Sequence, residues 1–299
     1  MRLRSAPVTE GLVFLGVSTG GSSINLLFPV WAGILGLDAE IVGRDVPVRA
    51  KPGPFRSIVA EIARDERLRG ALVTTHKVDI YRHAGDLFAG FDRNARLCRE
   101  VSCIAKRAGA LHGFAKDPDT AGAALAAIDW DASGHVLCLG AGGAGTAITV
   151  HLLSRREPPA RIVVTDADPG TLDTLREIHA ELGAAGAVEY RPTEETDALL
   201  AALPPGSLVV NATGLGKDLP GSPVRDAASF PDGVVAWELN YRGELDFLRQ
   251  AREQGVEAHD GWLYFLHGWT QVIAEVFALE LDDATFAELA QAAEPFRPR

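Results

Sequence analysis

The chain has 299 residues, 47 % of them hydrophobic, and a formal net charge of −11 from 29 basic and 40 acidic side chains. That length favours about two domains, and the acidic balance excludes a broad nucleic-acid-binding surface. No run reaches the roughly 20 apolar residues of a membrane span, and Met1-Arg2-Leu3-Arg4-Ser5 turns polar too soon for a signal peptide. Cys98, Cys103 and Cys138 form neither a CxxC pair nor a disulfide framework, which fits buried apolar residues in a reducing, cytoplasmic setting. No metal is expected.

In chain order, residues 11–17 form an apolar run bounded by glycines, a buried first strand. Ser18-Thr19-Gly20-Gly21-Ser22-Ser23 is then a polar loop at the strand's C-terminal end, where open α/β sheets hold ligands. A helix follows from Asn25 to Leu35, and a second strand spans 39–46. Pro54 suits a helix start, and Phe55, Ile58, Val59 and Ile62 recur at i, i+3, i+4, i+7. Residues 70–74 are a third strand with Thr75-His76-Lys77 at its end. A helix carrying Ala95 and Leu97 leads to a strand over 100–106, a turn at Arg107-Ala108-Gly109, and a return strand over 110–114. Strands alternating with helices predict a parallel or mixed sheet. The polar loop 116–122 then opens an Ala-rich helix, and the domain boundary is placed there. One domain is 1–121 with the tail 262–299, and the other is 122–261.

The second domain begins with the strand Val136 to Leu139, then Gly140-Ala141-Gly142-Gly143-Ala144-Gly145 and a helix to Leu153. In a strand–turn–helix unit Gly140 allows the sharp turn, Gly142 leaves room for a pyrophosphate, and Gly145 lets helix and strand pack closely. The helix N-terminus adds unpaired N–H groups and a positive dipole end. The next strand, 161–166, ends in Asp166, about 20 residues beyond the last glycine, where a ribose-binding acid belongs. Further on are a helix (171–182), a strand (188–190) and a short helix (199–203). A strand from Ser207 then runs into the turn Asn211-Ala212-Thr213-Gly214. A strand (233–239), a helix (247–255) and a strand (257–259) complete the domain. The helical tail from Trp262 is expected to cross back onto the first domain.

Six motifs in order resemble the shikimate dehydrogenase family over nearly the whole chain. Leu35-Gly36-Leu37-Asp38 matches LGLD, Val73 to Lys77 is similar to NVTxPxK, and Glu100-Val101-Ser102-Cys103 stands where the family has GAVNT. Asp119-Thr120-Ala121-Gly122 matches the end of NTDxxG, Gly140 to Gly145 matches GxGGAG, and Asn211-Ala212-Thr213-Gly214 resembles NATS.

The resemblance implies an α/β substrate domain, a Rossmann-type domain, and C-terminal helices returning to the first. It implies reversible hydride transfer between a nicotinamide cofactor and a small, cyclic hydroxy/oxo carboxylic acid such as shikimate or quinate, in aromatic amino acid biosynthesis. Lys77 and Asp119 carry over as the catalytic pair, and such a transfer does need a proton donor for the developing alkoxide. Without the resemblance Lys77 reads as a surface lysine and Asp119 as a helix cap. Ser22, Thr74, Thr75, Ser102, Tyr241 and Gln271 are the substrate-binding positions, with His267 competing for that of Gln271. Gly140, Gly142, Gly143, Ala144, Gly145, Asn211, Thr213 and Gly214 are expected at the cofactor, beside Asp166.

The chain also departs from the family. The Ser-x-Ser-Pro substrate loop becomes Ser22, Ile24 and Asn25, the asparagine of GAVNT becomes Ser102, and the asparagine of NVT falls near Ala71 or Leu72. The proline before the lysine becomes Thr75. The NTD region reads Asp117-Pro118-Asp119 with an insertion after Gly113. Arg96, Arg99 and Lys106 are alternative carboxylate partners or plain surface charge. Where NADP-using members read Asn-Arg-Thr, this chain has Thr165-Asp166-Ala167, which implies NAD in preference to NADP. Two other readings stay open. One is a non-catalytic NAD-binding sensor of the same fold, and the other a folate-linked dehydrogenase of similar layout. The partner expected is the small molecule alone, bound by a monomer or homodimer.

Overall fold

A computed structural model describes residues 9–217 and 219–298. The chain divides into two compact units, one running up to Lys116 and taking in Gly268–Arg297, the other Asp117–His267.

In the first unit β1 (Glu10–Gly16) lies between β2 (Ala39–Asp45) and β3 (Leu68–Val73), all parallel. Helices α1 (Ile24–Ile34) and α2 (Pro52–Arg64) make the crossovers. The unbroken run Leu12-Val13-Phe14-Leu15 is buried on both faces, as a central parallel strand requires. After β3 come α3 (Lys77–Ala84), the two-residue strand β4 (Gly90–Phe91) and α4 (Arg93–Cys98). The two-residue strand β4 and the helix α3 were not expected. β5 (Cys103–Arg107) and β6 (Ala110–Phe114) form the expected hairpin, turned by Ala108 and Gly109 at φ 50 and 83. Because β5 is antiparallel to β3, the sheet is mixed, in the order β2-β1-β3-β5-β6-β4.

Phe55, Val59 and Ile62 of α2 join Ile80 and Ala84 of α3 in the core against Val13, Leu15 and Val73. Phe14 points the other way, as strand alternation demands, and meets Trp269 edge-on at 5.0 Å. Trp269 belongs to α10 (Trp262–Phe277), which is followed by α11 (Asp283–Ala293). The Trp31 indole donates to the Leu289 carbonyl at 2.8 Å. The C-terminal helices therefore return to the first unit.

The second unit starts with α5 (Asp117–Leu125), so the loop expected over 116–122 is helix from its second residue. Pro118 has no N–H to leave unpaired in a first turn, and Asp117 and Asp119 suit the positive end of the dipole. Six parallel strands follow: β7 (His135–Leu139), β8 (Arg161–Asp166), β9 (Val188–Pro192), β10 (Leu208–Asn211), β11 (Val235–Glu238) and β12 (Glu257–His259). Their order is β12-β11-β10-β7-β8-β9, the doubly wound dinucleotide order, reversing direction between β7 and β10. Helices α6 (Gly143–Ser154) and α7 (Pro169–Glu181) cover one face with α5. On the other face lie α8 (Thr196–Ala201) and α9 (Asp246–Glu253). Alternation divides the strands: Val136 and Cys138 face one core, Leu137 and Leu139 the other.

The division falls after Lys116 and after His267, against 121 and 261 in the sequence reading. A Cβ on Gly122 of α5 would lie 2.3 Å from the His151 ring of α6, so α5 seats closely on the second unit. Trp262 and Phe265 at the start of α10 pack on Tyr241, with ring centroids 5.5 and 4.5 Å away.

Candidate active site

In the second unit the site is built at the switch point. Gly140 has φ 102, and a Cβ there would stand 2.9 Å from the Ala212 carbonyl at the exit of β10. A Cβ on Gly145 would come within 2.0 Å of the Gly140 oxygen. Glycine is needed at the first for conformation and at both for space. Gly142 and Gly143 are exposed, nothing lies within 4 Å of a Cβ at Gly142, and no side chain caps α6. The first-turn N–H groups, those of Gly143, Ala144 and Gly145 among them, thus lack an intrahelical partner and stand beside a positive dipole end.

Asp166 closes the edge. One carboxylate oxygen accepts from the Ala141 N–H at 2.7 Å and the other from the Asp168 N–H at 2.9 Å. Each oxygen keeps acceptor capacity for a ribose hydroxyl. Opposite, the Asn211 side-chain oxygen accepts from the Thr213 N–H at 3.1 Å and the Thr213 hydroxyl at 2.6 Å. Gly214 then turns the chain at φ 78. These residues fit a nicotinamide dinucleotide: a cradle without side chains, an uncapped helix N-terminus, and a fixed carboxylate at the ribose position.

Two buried polar residues of this unit escaped the sequence reading. Glu238, passed over as the end of a strand, is 0 % exposed; its oxygens accept from the Asn211 amide at 2.5 Å and the Asn240 N–H at 2.8 Å. His179, also 0 % exposed, has its ring nitrogens 2.7 Å from the Tyr190 hydroxyl and 2.9 Å from the Thr149 hydroxyl. Thr149 in turn donates to the Gly145 carbonyl at 2.8 Å, so a hydrogen-bonded chain runs from β9 to the glycine turn. A histidine in the apolar stripe Leu172, Leu175, Ile178 was the available signal. Burial pushes the His179 imidazole down to about 4. Of the Asp117-Pro118-Asp119 stretch, Asp117 opens α5 only 8 % exposed, whereas Asp119 is exposed.

In the first unit, Thr74, Thr75, His76 and Lys77 form the turn from β3 into α3, with Thr74 half-buried and Thr75 exposed. The turn is clamped on three sides. The Thr74 N–H donates to the Leu15 carbonyl at 3.0 Å, buried His76 Nε2 lies 2.7 Å from the Val46 carbonyl, and the Val101 N–H donates to the Lys77 carbonyl at 3.0 Å. Lys77 is thereby fixed at the head of α3, beside the entry to β5. Ser102 is buried there and its hydroxyl accepts from the Lys116 N–H at 2.8 Å. Gln271 is half-buried on α10, one turn before Glu275, whose carboxylate binds Lys116 at 2.6 Å and Arg107 at 2.7 Å. Arg96, by contrast, turns back onto the Phe91 carbonyl, and Lys106 onto the Asp65 carbonyl at 2.6 Å.

The 18–25 stretch is held by the end of β2 and by its own backbone. Thr19 donates to Asp45 through its N–H at 2.8 Å and its hydroxyl at 2.6 Å, and the Asn25 amide donates to the Thr19 carbonyl at 2.8 Å. Ser22 is half-buried, but Ile24 is 0 % exposed: the place of a hydroxyl donor is taken by a core side chain. Tyr241 and His267 belong to the second unit and Gln271 to the first. Among the described residues no group of three or more His, Cys, Asp or Glu is placed to hold a metal, and no helix is long and apolar enough to cross a membrane.

A doubly wound parallel sheet with a glycine turn at its switch point and an acid ending the next strand defines a dinucleotide-binding domain. The chain belongs to the shikimate dehydrogenase family: it is 30 % identical over 254 residues to the shikimate dehydrogenase (NADP(+)) of Brucella abortus (strain S19), covering 81 % of this chain and 80 % of that one. Among solved structures it is similar to quinate dehydrogenase from Corynebacterium glutamicum in complex with NAD, at TM-score 0.78 and 19 % identity over 96 % of this chain and 99 % of that one. It is also similar to shikimate 5-dehydrogenase from Thermus thermophilus in complex with NADP(H) and shikimate, at TM-score 0.74 and 24 % identity over 95 % and 99 %. No protein-family model matches the chain.

Proposed function

We propose that the protein reversibly transfers hydride between NAD and a small cyclic hydroxy/oxo carboxylic acid of the shikimate and quinate type. In the oxidising direction hydride passes from the carbinol carbon to the nicotinamide ring, and the hydroxyl proton passes to the Lys77 amine. The reverse returns both. The carrying observation is Lys77 itself, held at the head of α3 by the turn's three clamps. A sensor that only bound the cofactor would not need it, so the catalytic reading is favoured over the sensor. The reading of an NAD enzyme draws support from Asp166 and from the solved quinate dehydrogenase that holds NAD.

The family's catalytic pair needs a carboxylate beside the lysine in its motif. The family motif puts it at Asp119; burial favours Asp117, which sits at the helix start instead of in solvent. The test is a panel of cyclic hydroxy acids with NAD and NADP, read by absorbance of the reduced cofactor, followed by Asp117→Asn and Asp119→Asn on the substrate found. Turnover lowered roughly 10²-fold or more in the first variant alone assigns Asp117. The same loss confined to the second assigns Asp119, and normal rates in both remove the pair. Shikimate is expected to bind weakly, since one lost hydrogen bond to a charged group costs about 1.5–3 kcal/mol.

A further inference from the structure

Glu238 is a carboxyl group with no access to water, at the last position of β11, beside the strand that delivers the Asn211-Ala212-Thr213-Gly214 turn. Its oxygens accept from the Asn211 amide at 2.5 Å and the Asn240 backbone at 2.8 Å, and the Asn240 side chain adds a further hydrogen bond. An amide group has a donor end and an acceptor end. Because Asn211 gives its NH₂ to Glu238, its oxygen is aimed at Thr213, where it takes both the backbone N–H and the hydroxyl. The Thr213 hydroxyl then accepts from the Leu215 N–H at 3.2 Å. The shape of the turn thus depends on which end of Asn211 faces the carboxyl.

We propose that Glu238 is a positioning residue for the cofactor, a proton-linked latch on the 211–214 turn. Ionised, it holds Asn211 with its oxygen toward Thr213 and the turn is closed. Protonated, its O–H needs an acceptor, which Asn211 supplies by rotating its amide. The NH₂ then faces the Thr213 N–H, donor against donor, and the turn is released. This rests on the reading that the turn binds a nicotinamide dinucleotide.

The surroundings place the change near neutral pH. Burial pushes the Glu238 carboxyl up to about 7, against the pull of the N–H groups of Asn240 and Asn211, and the Asp260 carboxylate adds to the rise. From β12, His259 lies opposite Trp237, and its ring is tied to Glu257 at 2.8 Å. From α10 the Tyr264 ring packs on Trp237. From the turn itself come only the amides of Asn211 and Asn240.

The test is calorimetry of NADH binding to the full chain at pH 6, 7 and 8, in two buffers of different ionisation enthalpy at pH 7. If binding selects the ionised latch, affinity falls about tenfold from pH 8 to pH 6, and about half a proton is released per NADH at pH 7. Glu238→Gln mimics the protonated state: it is expected to bind about tenfold more weakly at pH 8, with no pH slope and no proton released. The wild-type proton count decides even if that variant does not fold. Binding with no proton released, or equal release in wild type and Glu238→Gln, overturns the latch alone. No binding at any pH overturns the cofactor reading and the latch with it.

Discussion

The two sheets end in different kinds of recognition. At the edge of the second unit, the groups aimed at a ligand are backbone N–H groups, with glycines that keep side chains away. At the edge of the first unit the groups proposed to recognise the substrate are side chains: Ser22, Thr74, Lys77, Ser102 and Gln271. The glycine turn matches the family pattern, while the substrate loop does not: Ile24 fills the core where a hydroxyl is expected. A phosphate site made of backbone is fixed by the fold itself, because changing it means changing the strand–turn–helix connection. A substrate site made of side chains can change one residue at a time. On the proposed function, architecture would tie the chain to its cofactor and a few side chains would tie it to its substrate.

Lys77 is the sharpest of those positions. Lys77→Ala is expected to lower turnover by roughly 10² to 10⁴, the scale of a positioned acid or base. NADH affinity, measured by calorimetry, should stay within about twofold, since the phosphate cradle is untouched. A large loss of NADH affinity would mean that the two edges do not divide the work in this way.

Ile24 tests the contrast from the other side. If the loop were merely lacking a hydroxyl, Ile24→Ser would restore shikimate binding. Because Ile24 is 0 % exposed, the variant should instead lose about 2–5 kcal/mol of stability, the cost of an emptied core position, with no gain in shikimate turnover. Denaturant unfolding together with the absorbance assay checks both halves, and a gain in shikimate oxidation at unchanged stability would break the argument.

The same division explains what was legible in the sequence. The parallel strands, the glycine turn and Asp166 all follow from local rules: apolar runs, glycine at tight approaches, an acid at a set spacing. What was missed depends on tertiary burial. Asp117 and Asp119 are two residues apart in the same polar stretch, and only the seating of α5 buries the first and exposes the second. Glu238 looks like any charged strand end until Asn211 and Asn240 are found against it. The first turn of α5 was read as loop because Asp-Pro-Asp is turn composition, and Pro118 is equally at home in a first helical turn.

His179 links the backbone site to pH. In the folded chain burial holds its imidazole down to about 4, from an ordinary value of 6.5. Between those values the unfolded chain binds the proton and the folded chain does not, so acid favours unfolding. The contribution is fully present above about pH 6.5 and is lost as the pH falls toward about 4, amounting to roughly 3 kcal/mol. His179→Gln, which can still donate and accept, should flatten this part of the stability curve. Thermal unfolding from pH 7 to pH 4 checks it, and an equal slope in the variant would place the acid sensitivity elsewhere.

Asp166 carries the smallest expected effect and is expected to set which nicotinamide cofactor the backbone site takes. Its carboxylate is fixed by the Ala141 and Asp168 N–H groups, so it cannot swing away from an incoming phosphate without breaking both. Toward ribose hydroxyls it is an acceptor; toward a 2′-phosphate it is a like charge. Arg156 is exposed and could offset this, but other nearby arginines are engaged. Arg161 pairs with Glu189 at 2.7 Å, Arg191 with the same carboxylate at 3.2 Å, and Arg155 lies over the Trp130 ring at 6.0 Å. The Brucella relatives are NADP(+) enzymes by name, so the expected preference separates this chain from them. A tenfold or greater preference for NAD corresponds to about 1.4 kcal/mol or more. Asp166→Ala should shrink it by removing both the ribose acceptor and the repulsion, weakening NAD while strengthening NADP. Calorimetry with both cofactors on both proteins makes the comparison. Tighter binding of NADP than NAD by the wild type, or an unchanged ratio in the variant, would show that Asp166 does not choose the cofactor.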